Sequence, residues 1–79
     1  MKLTQLRDMV AIVQQGSLRA AARHLDLAQP ALTRSIRTLE RDLGTALFER
    51  EARGMVLTTA GKLFYERAGM VLNELQRAR

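Results

Sequence analysis

Three arginines with helical spacing lie in the middle of the chain, and side chains of this type bind anions. In a helix over residues 29–43, which turns by about 100° per residue, Arg34, Arg37 and Arg41 fall on one face. The acids of this segment, Glu40 and Asp42, project away from that face. Guanidinium groups form paired hydrogen bonds with phosphates and guanine edges. A solvated helix face usually mixes both signs of charge. This face therefore favours an anionic partner, with an ordinary solvated surface as the alternative.

The opposite face of the same segment is apolar, as expected for a helix that packs on a core. Pro30 suits its first turn, where backbone N–H groups have no partner within the helix. Gly44 suits its end. The apolar stripe consists of Leu32, Ile36, Leu39 and Leu43.

Two further helices are predicted before this segment. Apolar residues at helical spacing predict an amphipathic helix over residues 3–15, with Gly16 as its stop. Ser17 can cap a short second helix over residues 17–25. A turn of three or four residues separates this helix from residues 29–43, which is the spacing of a helix-turn-helix unit.

The remainder of the chain predicts a hairpin and one more helix. Short apolar segments between residues 46 and 58 flank Gly54, which can supply a positive φ at a tight turn. A last helix begins at Thr58 or Thr59, either of which can cap it, and no stop signal follows. This pattern predicts a fragment of a longer chain.

The composition describes one small domain with an excess of positive charge. The 79 residues include 13 Lys and Arg against 8 Asp and Glu, which gives a net charge of +5. Most of the basic residues are arginines, because Lys2 and Lys62 are the only lysines. Charge alone favours a nucleic-acid partner only modestly, since a solvated basic surface has the same composition.

Several other classes of protein are disfavoured by the residues that the chain lacks. It has no cysteine and His24 is its only histidine, so we predict neither a metal nor a cofactor. No constellation of acid and base side chains indicates an enzyme. No apolar run reaches the roughly 20 residues that span a bilayer, and the N-terminus lacks a secretory signal. We therefore expect a cytoplasmic protein without a membrane partner.

One ordered set of residues runs through the chain without gaps. Its members are Gly16 to Ala22, Leu25, Gln29 to Arg34, Ile36, Leu39-Glu40, Leu43-Gly44, Leu47 to Arg50, Arg53-Gly54, Leu57-Thr58 and Ala60-Gly61. This set resembles the N-terminal DNA-binding domain of LysR-type transcriptional regulators over essentially all 79 residues.

The resemblance implies a mainly α fold. It implies a winged helix-turn-helix domain over residues 1–58, with a three-helix core and a two-stranded wing, followed by a linker (dimerisation) helix over residues 59–79. An effector-binding domain of periplasmic-binding-protein type follows in this family and is absent here, so a small-molecule effector would act only through that missing part. The family also implies homodimers through the linker helix, and tetramers of the full-length protein.

The resemblance assigns base contacts to the start of the recognition helix. Gln29 is expected to hydrogen-bond base edges in the major groove, and Pro30 and Ala31 to touch thymine methyl groups. Thr33 and Arg34 match family positions that reach phosphates and bases, respectively. Helix initiation by Pro30 is compatible with this role.

Other matching positions are expected at the DNA backbone and the minor groove. Ser17 is first a helix cap, and the backbone N–H of Leu18 can face a phosphate. Arg37 is expected to contact or attract phosphates, and Arg50 to support the wing or meet phosphate. Arg53 at the wing tip matches the residue that enters the minor groove, where narrow A·T tracts attract arginine.

One position departs from the family pattern. Ala28 stands where the family usually has a serine that caps the recognition helix and contacts the DNA backbone. Alanine can do neither with its side chain, so one phosphate contact is in doubt. We expect a capping loss of about 1 kcal/mol.

An apolar stripe on the last helix has three interpretations: internal core, a membrane-active face or a dimer seam. Its polar neighbours are mixed in sign, which makes the membrane interpretation the weakest. We predict dimerisation, because a lone terminal helix has little else to cover its far end. The predicted seam residues are Phe64, Ala68, Val71, Leu72 and Leu75.

The sequence as a whole predicts a dimeric module that binds double-stranded DNA at an inverted-repeat promoter or operator site. Helix 29–43 would lie in the major groove and the wing in the minor groove. The alternative is a helical adaptor that binds another protein through its last helix without specific DNA binding. Counterion release makes DNA binding steeply salt-dependent, so salt distinguishes the two.

Overall fold

The computed structural model describes all 79 residues and contains four helices and one two-stranded antiparallel sheet. The predicted fold class is confirmed. The second strand begins at Gly54, whose φ of +117° confirms the predicted turn glycine. The elements are α1 (Leu3–Gln15), α2 (Leu18–Leu25), α3 (Gln29–Leu43), β1 (Phe48–Glu51), β2 (Gly54–Leu57) and α4 (Thr59–Arg77).

The first three helices pack around one small core. Three of the four stripe residues predicted for α3 are buried, and the fourth, Leu43, is half-buried against the same cluster. Each fully buried leucine stabilises the fold by about 1.5–3 kcal/mol. The largest fully buried side chains are those of Met9, Leu32, Leu39 and Leu47.

The connection between α2 and α3 is a tight turn. Ser17 caps α2 as predicted, because its Oγ accepts the backbone N–H of Ala20 at 3.0 Å. Asp26 ends α2 in a left-handed conformation with φ of +57°, and the N–H of Leu27 donates to the carbonyl of Ala22 at 2.9 Å. The turn thereby directs the chain into α3 within three residues.

The hairpin is shorter than the sequence predicted. Its first strand begins at Phe48, and the preceding Leu47 is fully buried in the core. The strands pair from Phe48 opposite Leu57 to Glu51 opposite Gly54. Because side chains alternate across a strand, Phe48 and Arg50 share one face of the hairpin.

The start of α4 is joined to the segment before the hairpin. Thr58, rather than Thr59, is its cap: the Oγ1 of Thr58 accepts the N–H of Gly61 at 2.9 Å and donates to the carbonyl of Ala46 at 2.7 Å. The backbone N–H of Thr58 also donates to the carbonyl of Leu47 at 3.0 Å. These bonds position the hairpin relative to α4.

Candidate nucleic-acid interface

The start of α3 presents its polar residues to solvent. Gln29, Pro30, Arg34 and Arg37 are exposed, and Thr33 is half-buried. These five residues line one open concavity on the outer face of the helix. Five of the six contacts predicted for α3 are therefore brought together.

The sixth, Ala31, lies beside this concavity. It is half-buried and lines a neighbouring depression that also includes Arg34. Arg34 thus borders both depressions. Its side chain is exposed on the outer face of α3, where the helical spacing in the sequence placed it.

The arginines of α3 have no carboxylate partner. Neither Arg34, Arg37 nor Arg41 takes part in an ion pair. The acids of the same helix are engaged elsewhere: Asp42 lies 3.5 Å from the N-terminal amine, and Glu40 bonds to backbone. Like charges at i,i+4, such as Arg37 and Arg41, destabilise a helix unless an anion lies between them. These three guanidinium groups are therefore available to bind phosphate.

The groove between α3 and the hairpin joins three elements. Leu18 from α2, Thr33 and Arg37 from α3, and Arg50 from β1 all line it. Arg50 is exposed and belongs to the hairpin face that is turned toward α3. Ser17 is exposed at the start of α2. The structure thus groups these predicted backbone contacts beside the arginines of α3.

Arg53 lies apart from this group at the tip of the hairpin. Its side chain is 85% exposed, and its guanidinium is 3.9 Å from the carboxylate of Glu51. An exposed pair at this distance contributes little to stability. Arg53 is therefore free to leave this partner for a stronger anionic one.

Glu40 has a structural role that the sequence analysis did not assign. Its Oε2 accepts the backbone N–H of Leu47 at 2.7 Å and that of Phe48 at 3.3 Å. The carboxylate thereby connects α3 to the first residues of the hairpin. Two signals in the sequence singled out this residue: it belongs to the set that resembles the LysR family, and its helical angle places it outside the arginine face.

The predicted dimer stripe on α4 divides into two groups. Ala68 is only 1% exposed, so its methyl group is already covered within this chain and offers no exposed seam contact. Phe64 packs against the core, and Leu72 is half-buried. Val71 and Leu75 remain 42% and 41% exposed.

Two exposed apolar residues of α4 were missed. Leu63 is 59% exposed and Met70 is 56% exposed, and both lie on the outer side of the helix. They were overlooked because they lie about 100° or more around the helix from Phe64 and Ala68, outside the predicted stripe. No helix of the structure is both long and apolar enough to cross a bilayer.

The fold and its exposed arginine face define a winged helix-turn-helix domain. The chain matches the family model described as "bacterial regulatory helix-turn-helix protein, lysR family" over residues 3–62. The chain therefore belongs to the LysR family of bacterial helix-turn-helix regulators.

Two curated relatives are named as HTH-type transcriptional regulators. The chain is 46% identical over 78 residues to the HTH-type transcriptional regulator TfdT of Cupriavidus pinatubonensis, covering 99% of this chain and 34% of TfdT. It is 47% identical over 81 residues to the HTH-type transcriptional regulator ClcR of Pseudomonas putida, covering 100% of this chain and 28% of ClcR. The chain thus spans about a third or less of the length of these relatives.

Solved structures of two DNA-binding domains are similar over nearly the whole chain. The CbnR DNA-binding domain in complex with DNA superposes with a TM-score of 0.92 at 41% identity, covering 99% of this chain and 90% of that one. The BenM DNA-binding domain in complex with catB site 1 DNA gives a TM-score of 0.95 at 40% identity, covering 99% and 88%. The winged fold of this chain is therefore that of these domains.

Proposed function

We propose that this chain binds double-stranded DNA sequence-specifically, as the N-terminal domain of a LysR-type transcriptional regulator. The observation that carries the proposal is the outer face of α3, where Arg34, Arg37 and Arg41 are exposed without a carboxylate partner. The DNA complexes of the similar CbnR and BenM domains support it. The α3 helix then lies in the major groove and the hairpin acts as the wing.

The first turns of α3 read the bases in this proposal. Gln29 hydrogen-bonds base edges, and Pro30 and Ala31 contact thymine methyl groups. Arg34 forms paired hydrogen bonds with a guanine edge, because its planar guanidinium matches the two acceptors there. These four residues determine the sequence preference.

The surrounding residues hold the DNA backbone. Thr33, Arg37 and Arg50 contact phosphates along the groove between α3 and the hairpin. The N-terminus of α2, at Ser17 and the N–H of Leu18, contacts another phosphate. Such contacts fix the position of a protein on DNA without reading its sequence.

Arg53 occupies the minor groove. Its long exposed side chain at the tip of the hairpin suits a narrow A·T tract, where the negative potential is strongest. Arg53 releases Glu51 when it binds.

Residues 1–58 form the DNA-binding unit, and residues 59–79 form the linker helix that pairs with a second copy. Two-fold symmetry of such a dimer implies an inverted-repeat site. Effector binding and tetramer formation belong to the part of the whole protein outside this chain. We propose that the protein acts in the cytoplasm and by binding alone, without catalysis.

Replacement of Arg34 tests the proposal. Sites are first selected from random duplex DNA, and affinities are then measured for the selected duplex and a scrambled duplex. We expect Arg34→Ala to weaken binding to the selected duplex by about 1–3 kcal/mol and to relax the preference. Arg79→Ala, which removes an exposed arginine beyond the end of α4, is the matched control.

Two results would contradict parts of this proposal. An equal loss for both duplexes would show that Arg34 contacts phosphate only. Binding that ignores both salt and duplex sequence would favour the adaptor alternative, because neutralising Z phosphates gives a slope of about −0.9Z in log K against log salt.

A further inference from the structure

One carboxylate is buried between α1 and α3. The side chain of Asp8 is only 4% exposed, and its Oδ2 accepts the hydroxyl of Ser35 at 2.6 Å. Its Oδ1 accepts Nη2 of Arg7 at 2.7 Å and Nε of Arg7 at 3.0 Å. A buried charge is costly unless it is paired and hydrogen-bonded, and here both oxygens have partners. The group is therefore fully satisfied in this position.

The bond from Asp8 to Ser35 is the one side-chain hydrogen bond between α1 and α3. The rest of that contact is made by apolar side chains in the core. Apolar burial is not directional, whereas a hydrogen bond weakens steeply as its angle departs from the ideal. This bond therefore restricts rotation of α3 about its own axis.

Ser35 directly follows Arg34 on α3. A rotation of α3 that moves Ser35 away from Asp8 also swings Arg34 across the exposed face. Binding sites need their contact groups held within about 0.5 Å and 10–20° of the productive geometry. The bond between Asp8 and Ser35 therefore limits the movement of Arg34, which the proposed function assigns to a guanine edge.

We infer that Asp8 is a positioning residue for sequence recognition. Its hydrogen bond to Ser35 sets the rotation of α3, and thereby directs Arg34 at the bases. Arg7 compensates the buried charge and keeps the carboxylate oriented. This inference rests on the proposed function, because it requires that α3 read base edges.

The test compares specificity with stability. Ser35→Ala and Asp8→Ala are made singly and together, and affinities for the selected and scrambled duplexes are measured at one salt concentration and a temperature where circular dichroism shows each variant folded. We expect each single change to lower the ratio of selected to scrambled affinity by about tenfold, the effect of losing one charge-assisted hydrogen bond. Affinity for scrambled DNA falls much less than affinity for the selected duplex, because base contacts need a more exact position than phosphate contacts, and Ser17, Leu18 and Arg50 contact phosphates from outside α3.

Three comparisons make this result specific to the bond. The double variant loses no more specificity than either single variant, since both changes remove the same interaction. Ser35→Thr keeps the hydroxyl and retains the ratio. Thr38→Ala removes a half-buried hydroxyl of α3 that forms no side-chain hydrogen bond, and also retains the ratio.

The inference is overturned if Ser35→Ala lowers the unfolding temperature but leaves the affinity ratio unchanged, because the bond would then serve stability alone. A wild-type chain with no preference for any duplex is a different failure. That result would contradict the proposed function itself.

Discussion

Ala28 leaves the recognition helix α3 without a side-chain cap. Its backbone is extended, with φ of −68° and ψ of 139°, as an N-cap requires, yet no side chain bonds to the first turn. The caps of α2 and α4 both have a hydroxyl that does so, from Ser17 and Thr58. Pro30 limits the loss, because it has no N–H to satisfy.

Ala28→Ser is therefore expected to stabilise the chain. The hydroxyl of an N-cap serine can accept the N–H of Ala31, which now donates only to the carbonyl of Ala28 at 3.0 Å, and such a cap is worth about 1 kcal/mol. For a domain of this size that raises the unfolding temperature by about 4–8 °C, measured by circular dichroism. Ala52→Ser adds a hydroxyl in the exposed hairpin turn and is the control. Equal unfolding temperatures for the two variants would contradict the expected cap.

Residue types predicted the local features well. Ser17 and the Gly54 turn followed from the backbone conformations that those residues favour, and the structure agrees. Contacts between distant segments could not be predicted in this way. The bond of Asp8 to Ser35 joins residues 27 positions apart, and a sequence pattern contains no signal for the angle at which two helices meet.

At the scale of elements, α4 contains two glycines with opposite structural requirements. A Cβ at Gly61 would overlap the carbonyl oxygen of Leu47 and lie 2.9 Å from its carbonyl carbon, because α4 starts directly against the segment before the hairpin. A Cβ at Gly69 would meet nothing within 4 Å. The first glycine is needed for a close approach, and the second only weakens the helix.

Alanine substitution is expected to separate these two positions. Gly61→Ala forces backbone apart and should cost about 3 kcal/mol, at the upper end of overpacking effects. Gly69→Ala should stabilise the helix by about 0.5–1 kcal/mol. Urea unfolding of both variants measures the difference. Stabilisation by both substitutions would show that helix propensity alone governs α4.

The elements themselves were predicted more reliably than their faces. The apolar stripe of α3 located its core side correctly, since Leu32 and Leu39 are fully buried. The same reasoning on α4 combined two environments, because Ala68 is buried within the chain while Val71 and Leu75 of the same stripe are exposed. An apolar stripe shows that a helix buries a face, and it does not show which partner covers it.

At the scale of the whole molecule, the exposed apolar residues concentrate on α4. A small domain rarely exposes a contiguous apolar surface without a partner for it. In the proposed dimer, a second copy paired along α4 would cover these side chains and provide the two-fold symmetry of the proposed DNA site. The residues available for it are Leu63, Met70, Val71 and Leu75.

Leu75→Asp is expected to weaken the dimer. Leu75 is 41% exposed in the single chain, so each copy loses about 0.6–1.2 kcal/mol of apolar burial and the dimer dissociation constant rises about tenfold or more. Sedimentation equilibrium measures this constant. Gln76→Asp places the same charge on an exposed position of α4 that is not three or four residues from any of these apolar residues, and serves as the control. Unchanged association of the Leu75 variant would place the dimer contact elsewhere.

The bonds around Leu47 have a consequence for the choice of operator. Glu40 joins α3 to this segment, and Thr58 joins the same segment to α4. These bonds connect α3 and α4 through the same short segment. In the proposed dimer, the gap between the two halves of the operator is set by how the α4 helices cross, through residues that touch no base. Substitutions there alter which operator spacing is accepted while the half-site sequence stays the same.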